Sequence, residues 1–182
     1  RKRSYRVNAP PSLAPAERED LIRSAWYSHD ARWFSTVAAD CGMEVANRAN
    51  RQAIRQAGIV EARRLSKHLD LPPVQSLDAF FAFTDTGRDL FVGPIVDLAV
   101  RKTGELSYEA EVTKCFAAEN IARAGLAESY ECGIFDRIEG WHEGLGLPLA
   151  EPVPRTLCHL ANGRRCTRRL DIVPTPTADS RP

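Results

Sequence analysis

The sequence predicts an α+β fold, and three observations carry that expectation. Apolar residues recur at helical spacing from about Pro15 to Leu69, and the period drops to two between Ile95 and Val112. A second turn signal, Asn162-Gly163, then stands between two short apolar runs near the end of the chain. Strands that cluster after the helices, instead of alternating with them, argue against a parallel doubly wound sheet.

The first helix is expected to open near Ala14 or Pro15. Glu17, Glu19 and Asp20 in its first turns favour the helix dipole. Ile22, Trp26, His29, Trp33 and Val37 follow at steps of four, three, four and four, so they share one face, which is expected to point inward. Gly42 should stop this helix. A second runs from Met43 or Glu44 to about Leu69, with Val45, Ala49, Ala53, Ala57 or Gly58, and Leu65 inward, and Pro72-Pro73 closes it. Ser76 opens a short third helix carrying Leu77, Phe80, Phe81 and Phe83.

Ile95–Val100 and Leu106–Val112 alternate across the Lys102-Thr103-Gly104 turn as a hairpin. Ala117–Ala124 reads as a helix broken at Gly125, and another runs from about Cys132 to Glu143, ending in the Gly144–Gly146 region. Val153–Leu160 and Cys166–Val173 are expected to form a last hairpin around Ala161-Asn162-Gly163-Arg164. The domain should therefore occupy residues 15–173. Residues 1–14 form a mobile basic arm, and residues 174–182 a disordered, proline-rich tail.

A chain of 182 residues with 43% hydrophobic and 27% charged residues can bury a core. Its 25 basic residues nearly cancel its 24 acidic ones, so no global field favours nucleic acid or an anionic membrane. No stretch approaches the ~18 apolar residues of a membrane span, and the basic start is not followed by a signal-peptide core. Five cysteines, an odd number, are spaced unlike a secreted framework, and a reducing, cytoplasmic address is expected. There is no phosphate-cradling glycine loop, no His-Glu-x-x-His and no nucleophile elbow, which argues against a nucleotide enzyme, a zincin and a serine hydrolase.

The cysteines carry the strongest chemical signal. Cys158 and Cys166 flank the expected hairpin turn, and Cys132 stands at the start of a helix, where thiolates are favoured. Together they suit a soft metal, zinc first, or are small buried hydrophobes. Cys115, between a strand and a helix, is either a fourth ligand or a nucleophile. Four thiolates would make the metal structural, whereas three would leave an open position for water. His29, beside Trp26 and Trp33, reads as a general base or acid in an aromatic-walled pocket, or as a core histidine. Asp30 points about 100° away around the helix and would orient His29 or bind a substrate cation. Arg155, Arg164, Arg165, Arg168 and Arg169 make the last hairpin basic, and a solvated edge neutralised by Glu128, Glu131, Glu139 and Glu143 is the ordinary reading.

Cys158-x7-Cys166 with Gly163 between, followed by alternating Arg168, Leu170 and Ile172, resembles the close of the four-vinyl-reductase type ligand-binding domain. Phenol-sensing members of that group hold a structural zinc at these spacings. The resemblance implies Cys132, Cys158 and Cys166 as ligands. The glutamate those members use is Arg155 here, so the fourth ligand would be Cys115, ahead of Glu151, His159 and His142.

Trp26-x2-His29-Asp30-x2-Trp33, Ala46-Asn47 with Asn50, Cys115 after a hairpin, and Gly125 with Cys132 downstream resemble the L-2-amino-thiazoline-4-carboxylic acid hydrolase-like family. That family is named for an enzyme that opens a five-membered C=N ring with water. The resemblance implies a hydrolase-like enzyme on a small heterocyclic or amino-acid-derived substrate, of a specialised biosynthetic kind. It implies His29, Asp30 and Cys115 as catalytic candidates and Trp26, Trp33, Asn47 and Asn50 as the binding wall. The competing expectation is a non-catalytic sensor domain that binds an aromatic ligand. Both leave room for a homodimer, and neither calls for a nucleic acid or a membrane.

Overall fold

A computed structural model describes residues 12–173. The expected tail and all of the expected arm but residues 12–14 lie outside the described residues. The α+β class holds: helices fill the N-terminal half, and a three-stranded antiparallel sheet with further helices fills the rest.

Helix α1 (Pro15–Cys41) starts with proline at its first position, and the Glu17 carboxylate accepts from the Ala14 N–H at 2.8 Å. At Gly42 the chain takes φ +85°, a value open to glycine, and turns directly into α2 (Met43–His68). Ser76 caps α3 (Leu77–Gly87) through the Ala79 N–H at 3.2 Å, as expected. A π turn (Arg88–Val92) and a 3₁₀ turn (Gly93–Ile95) lead to β1 (Val96–Lys102) and β2 (Ser107–Cys115). Next come α4 (Phe116–Arg123) and α5 (Ile134–Leu145). Gly146 closes α5 in the left-handed region.

The expected last hairpin is corrected. Among residues 153–160 only Leu157 makes a bridge, to Glu131, and the chain then forms a 3₁₀ turn, Leu160–Asn162. Gly163 does adopt a left-handed conformation, but to end that turn. Strand β3 (Cys166–Asp171) instead adds to the free edge of β2, pairing Val112 with Cys166 and Ser107 with Asp171. β2 thus becomes the central strand, with its backbone groups matched on both sides.

The buried face of the sheet (Leu98, Tyr108, Ala110, Val112) meets Phe80 and Phe83 of α3 and Ile138 and Trp141 of α5. Helices α2 and α5 cross closely because small residues face each other. A methyl on Gly58 would sit 2.5 Å from the Arg137 carbonyl oxygen, and one on Gly140 would run into that of Arg55. Gly58 and Leu65 are buried as expected, whereas Val45 and Ala49 are half-buried beside the buried Ala46 and Asn50. Ala46, Asn50, Gly58, Ala62 and Leu65 face inward, while Ala53 is exposed. Among the described residues no helix is long and apolar enough to cross a membrane.

The inward face of α1 is also corrected. Ile22, Trp26 and Trp33 are 68%, 62% and 39% exposed, and His29 is exposed. Arg23, Tyr27, Asp30 and Phe34, one position further on from these four, face the body of the protein, and Val37 packs against the core as expected. Tyr27 donates to the Phe91 carbonyl at 2.7 Å and packs on Phe116, and Phe34 meets Tyr130 edge-on. These anchors outweigh the indoles because their partners lie on the inner side.

Candidate functional site

A cavity of about 330 Å³ lies where α1, α2, the turn before β1, the β2–α4 junction and the start of α5 converge. Helix α1 contributes Trp26, His29, Asp30 and Trp33 to its wall. Asn50 comes from α2, Cys115 from the end of β2, and Cys132 from the segment before α5. Residues scattered over a hundred positions of sequence therefore meet at one place.

Asn47 does not line it. Its amide donates to the Ser129 carbonyl at 2.7 Å and accepts from the Glu131 N–H at 3.1 Å, tying α2 to the segment before α5. The substrate-binding expectation for Asn47 is thus replaced by a clamp. One helical turn on, Asn50 is buried and does face the cavity.

His29 and Asp30 exchange prominence. His29 stands at the exposed lip, whereas Asp30 is half-buried in the wall. Burial pushes the Asp30 carboxyl above its ordinary range, while the nearby charges of Arg137 and His29 hold it down. The chain donates no hydrogen bond to this carboxylate among the described residues.

Sequence reasoning missed Arg137, Glu61, Tyr27 and Tyr130. Arg137 lines the cavity, but its guanidinium is held by Glu61 on α2, Nε to Oε2 at 2.9 Å with a second contact through Nη2. The Trp141 indole N–H donates to the same carboxylate at 2.9 Å. A charge on the buried side of each helix was the available signal, because such a group needs a partner.

Four cysteines, of which Cys115 and Cys132 stand in the cavity wall, come from four different segments: Cys115, Cys132, Cys158 and Cys166. All are free thiols, and the ionisation of each is influenced by at least one other. Cys132 donates to Cys158, which raises Cys132 and lowers Cys158. Backbone N–H groups favour a thiolate on Cys115 (Ala117, Ala118), Cys132 (Ile134) and Cys158 (Leu160, Ala161). Burial still pushes the Cys115 thiol up, and it pushes Cys166 up to about 11. Thiolate sulfur is the ligand chemistry of a soft tetrahedral ion. Among the described residues no three ligating side chains are gathered closely enough to hold a metal ion as they stand.

The weaker fourth-ligand candidates are corrected. His142 is in the core, with Nδ1 against the Leu147 carbonyl at 2.8 Å and Nε2 against the Tyr108 hydroxyl. His159 Nδ1 lies 3.2 Å from the Arg165 carbonyl, and Glu151 and Arg155 are exposed. The basic C-terminal segment is neutralised by Glu111 and Asp171, which pair with Arg165 and Arg169. Glu131, Glu139 and Glu143, expected in that role, pair with Arg51 and Arg55 instead.

A family model described as "Family of unknown function (DUF6125)" matches residues 18–86. That stretch holds the α1 and α2 sides of the cavity and, of the five cysteines, only Cys41. No curated protein and no solved structure matches the chain.

Proposed function

We propose that this protein is a hydrolase-like enzyme that takes a small heterocyclic or amino-acid-derived molecule into the cavity beside α1 and breaks a C–N bond in it with water. Asp30 carries the reading: a half-buried carboxyl, raised by burial and accepting no hydrogen bond from the described residues, faces an aromatic-walled cavity. Such a group can accept a proton from an attacking water and return it to the departing nitrogen. His29, beside it at the lip, assists and meets solvent. The resemblance of Trp26-x2-His29-Asp30-x2-Trp33 to the thiazoline hydrolase-like family supports a C–N substrate.

Zinc at Cys115, Cys132, Cys158 and Cys166 belongs to the same proposal as a structural element. It would pin the start of β3 to the segments before α4 and α5. Burial raises the Cys115 thiol, which argues against a free nucleophilic thiolate there. Five free cysteines suit a reducing, cytoplasmic setting.

The test is turnover. Purified protein is incubated with a panel of 2-amino-thiazolines and related cyclic amidines and followed by NMR. Asp30→Asn is expected to lower any rate found by about 10²–10⁴-fold with folding unchanged, and full retention would sink the assignment. A second reading, a binding or sensor module, is favoured by the mostly apolar lining and the open indole faces of Trp26 and Trp33. Saturable binding without turnover would select it.

A further inference from the structure

Trp26, Asp30 and Trp33 follow one another at steps of four and three, so they stand on one side of α1 and reach the same cavity. The two tryptophans are about 10 Å apart along the helix axis, from a rise of 1.5 Å per residue. The carboxyl lies between them. Both indoles remain substantially exposed, 62% and 39%, although they border a cavity. Among the described residues nothing donates a hydrogen bond to the Asp30 carboxylate, and the fold leaves the aromatic faces beside it open.

The charge around this carboxylate is one-sided. Arg137 is the nearest cation in the wall, but its guanidinium is paired with Glu61, and both side chains are 14% exposed. His29 is the other neighbour, and it lies at the lip. Counted together, Arg137, Glu61 and Asp30 leave the wall with one net negative charge, although Arg137 still acts on the Asp30 carboxylate. An anion entering the cavity would meet that carboxylate, and a wholly apolar molecule would bury it without a donor, which is costly. A flat cation meets neither obstacle: its N–H groups bond to the carboxylate, and its positive face lies on an indole.

We infer that the molecule recognised here is an organic cation, of the amidinium or protonated-amine class, bound through Asp30 and held between Trp26 and Trp33. This inference rests on reading the cavity as the substrate site and narrows what that site accepts.

The probes are benzamidinium, its neutral counterpart benzamide and its anionic counterpart benzoate, titrated into the full chain. Tryptophan fluorescence and calorimetry provide the readouts. Benzamidinium is expected to bind about tenfold more tightly than benzamide, with benzoate weakest. Asp30→Asn, shown to be folded by circular dichroism and thermal melting, should bring benzamidinium and benzamide to equal affinity. Trp26→Leu should weaken benzamidinium without reversing the order.

Equal affinity for benzamidinium and benzamide in the unaltered protein, or a preference that survives Asp30→Asn, would overturn the inference. In that case bound probe would still leave the cavity as a small-molecule site. Silence from all three probes at millimolar concentration would count against both the cation and the site.

Discussion

The Tyr108 hydroxyl donates to His142 Nε2 across 2.6 Å in the middle of the core, where both residues are completely buried. The Leu147 carbonyl holds the proton on Nδ1, so the neutral ring is satisfied at both nitrogens, and Phe80 stacks on it at 3.8 Å between ring centroids. Burial lowers the His142 pKa to about 4. The unfolded chain binds this proton near pH 6.5 and the folded one only near 4, so stability is complete above about 6.5 and declines as pH falls toward 4. The loss is on the order of 3 kcal/mol, read from urea melts at pH 7, 5 and 4. A flat profile across that window would contradict the assignment.

The α2–α5 crossing predicts a steep response to single methyl groups. Gly140→Ala and Gly58→Ala each place a Cβ against a backbone carbonyl of the opposite helix. Each should cost about 1–3 kcal/mol in chemical denaturation. Gly104→Ala, whose nearest neighbour would be 3.5 Å away, should cost less and serves as the control.

Glu61 is where packing and the cavity communicate. Glu61→Gln keeps the shape but leaves the Arg137 charge without its carboxylate, with an expected loss of about 3–5 kcal/mol. In protein that remains folded, the cavity gains a positive charge, and benzamidinium should lose its advantage over benzoate. Unchanged selectivity would mean that Arg137 does not influence the ligand.

For the cysteine cluster the expected result is about one zinc per chain by elemental analysis. The metal should be lost in Cys132→Ser together with several degrees of melting temperature. Protein without zinc whose five cysteines all react with a thiol reagent would remove zinc from the proposal.

Most helix positions and the first hairpin were legible because each has a local cause: Pro15, Gly42, Ser76 and the alternation after Ile95 act over a few residues. The orientation of α1 was not. Its apolar stripe, Ile22, Trp26 and Trp33, is genuine, but periodicity identifies a stripe and not what covers it. Tyr27 and Phe34, one position away, found partners more than sixty residues downstream. The Asn162-Gly163 signal was correct about backbone conformation and wrong about topology, because the destination of Cys166–Asp171 depended on the open edge of β2. Trp26, His29, Asp30, Trp33, Asn50, Cys115 and Cys132 were all named from sequence and share the cavity. Asn47 looked like Asn50 until its backbone partners were known.

The interlock of α2 with α5 also determines how much of the chain can be inherited or expressed as a module. A fragment ending at residue 86 would include all of the matched segment. It would open the glycine face of α2 to water, leave Arg51 without Asp136 and Glu61 without Arg137, and remove Cys115 and Cys132 from the cavity. Such a piece has half of an interface and no floor to its site. A unit that keeps both sides of this interlock extends through α5, and the match over residues 18–86 covers one wall of the cavity.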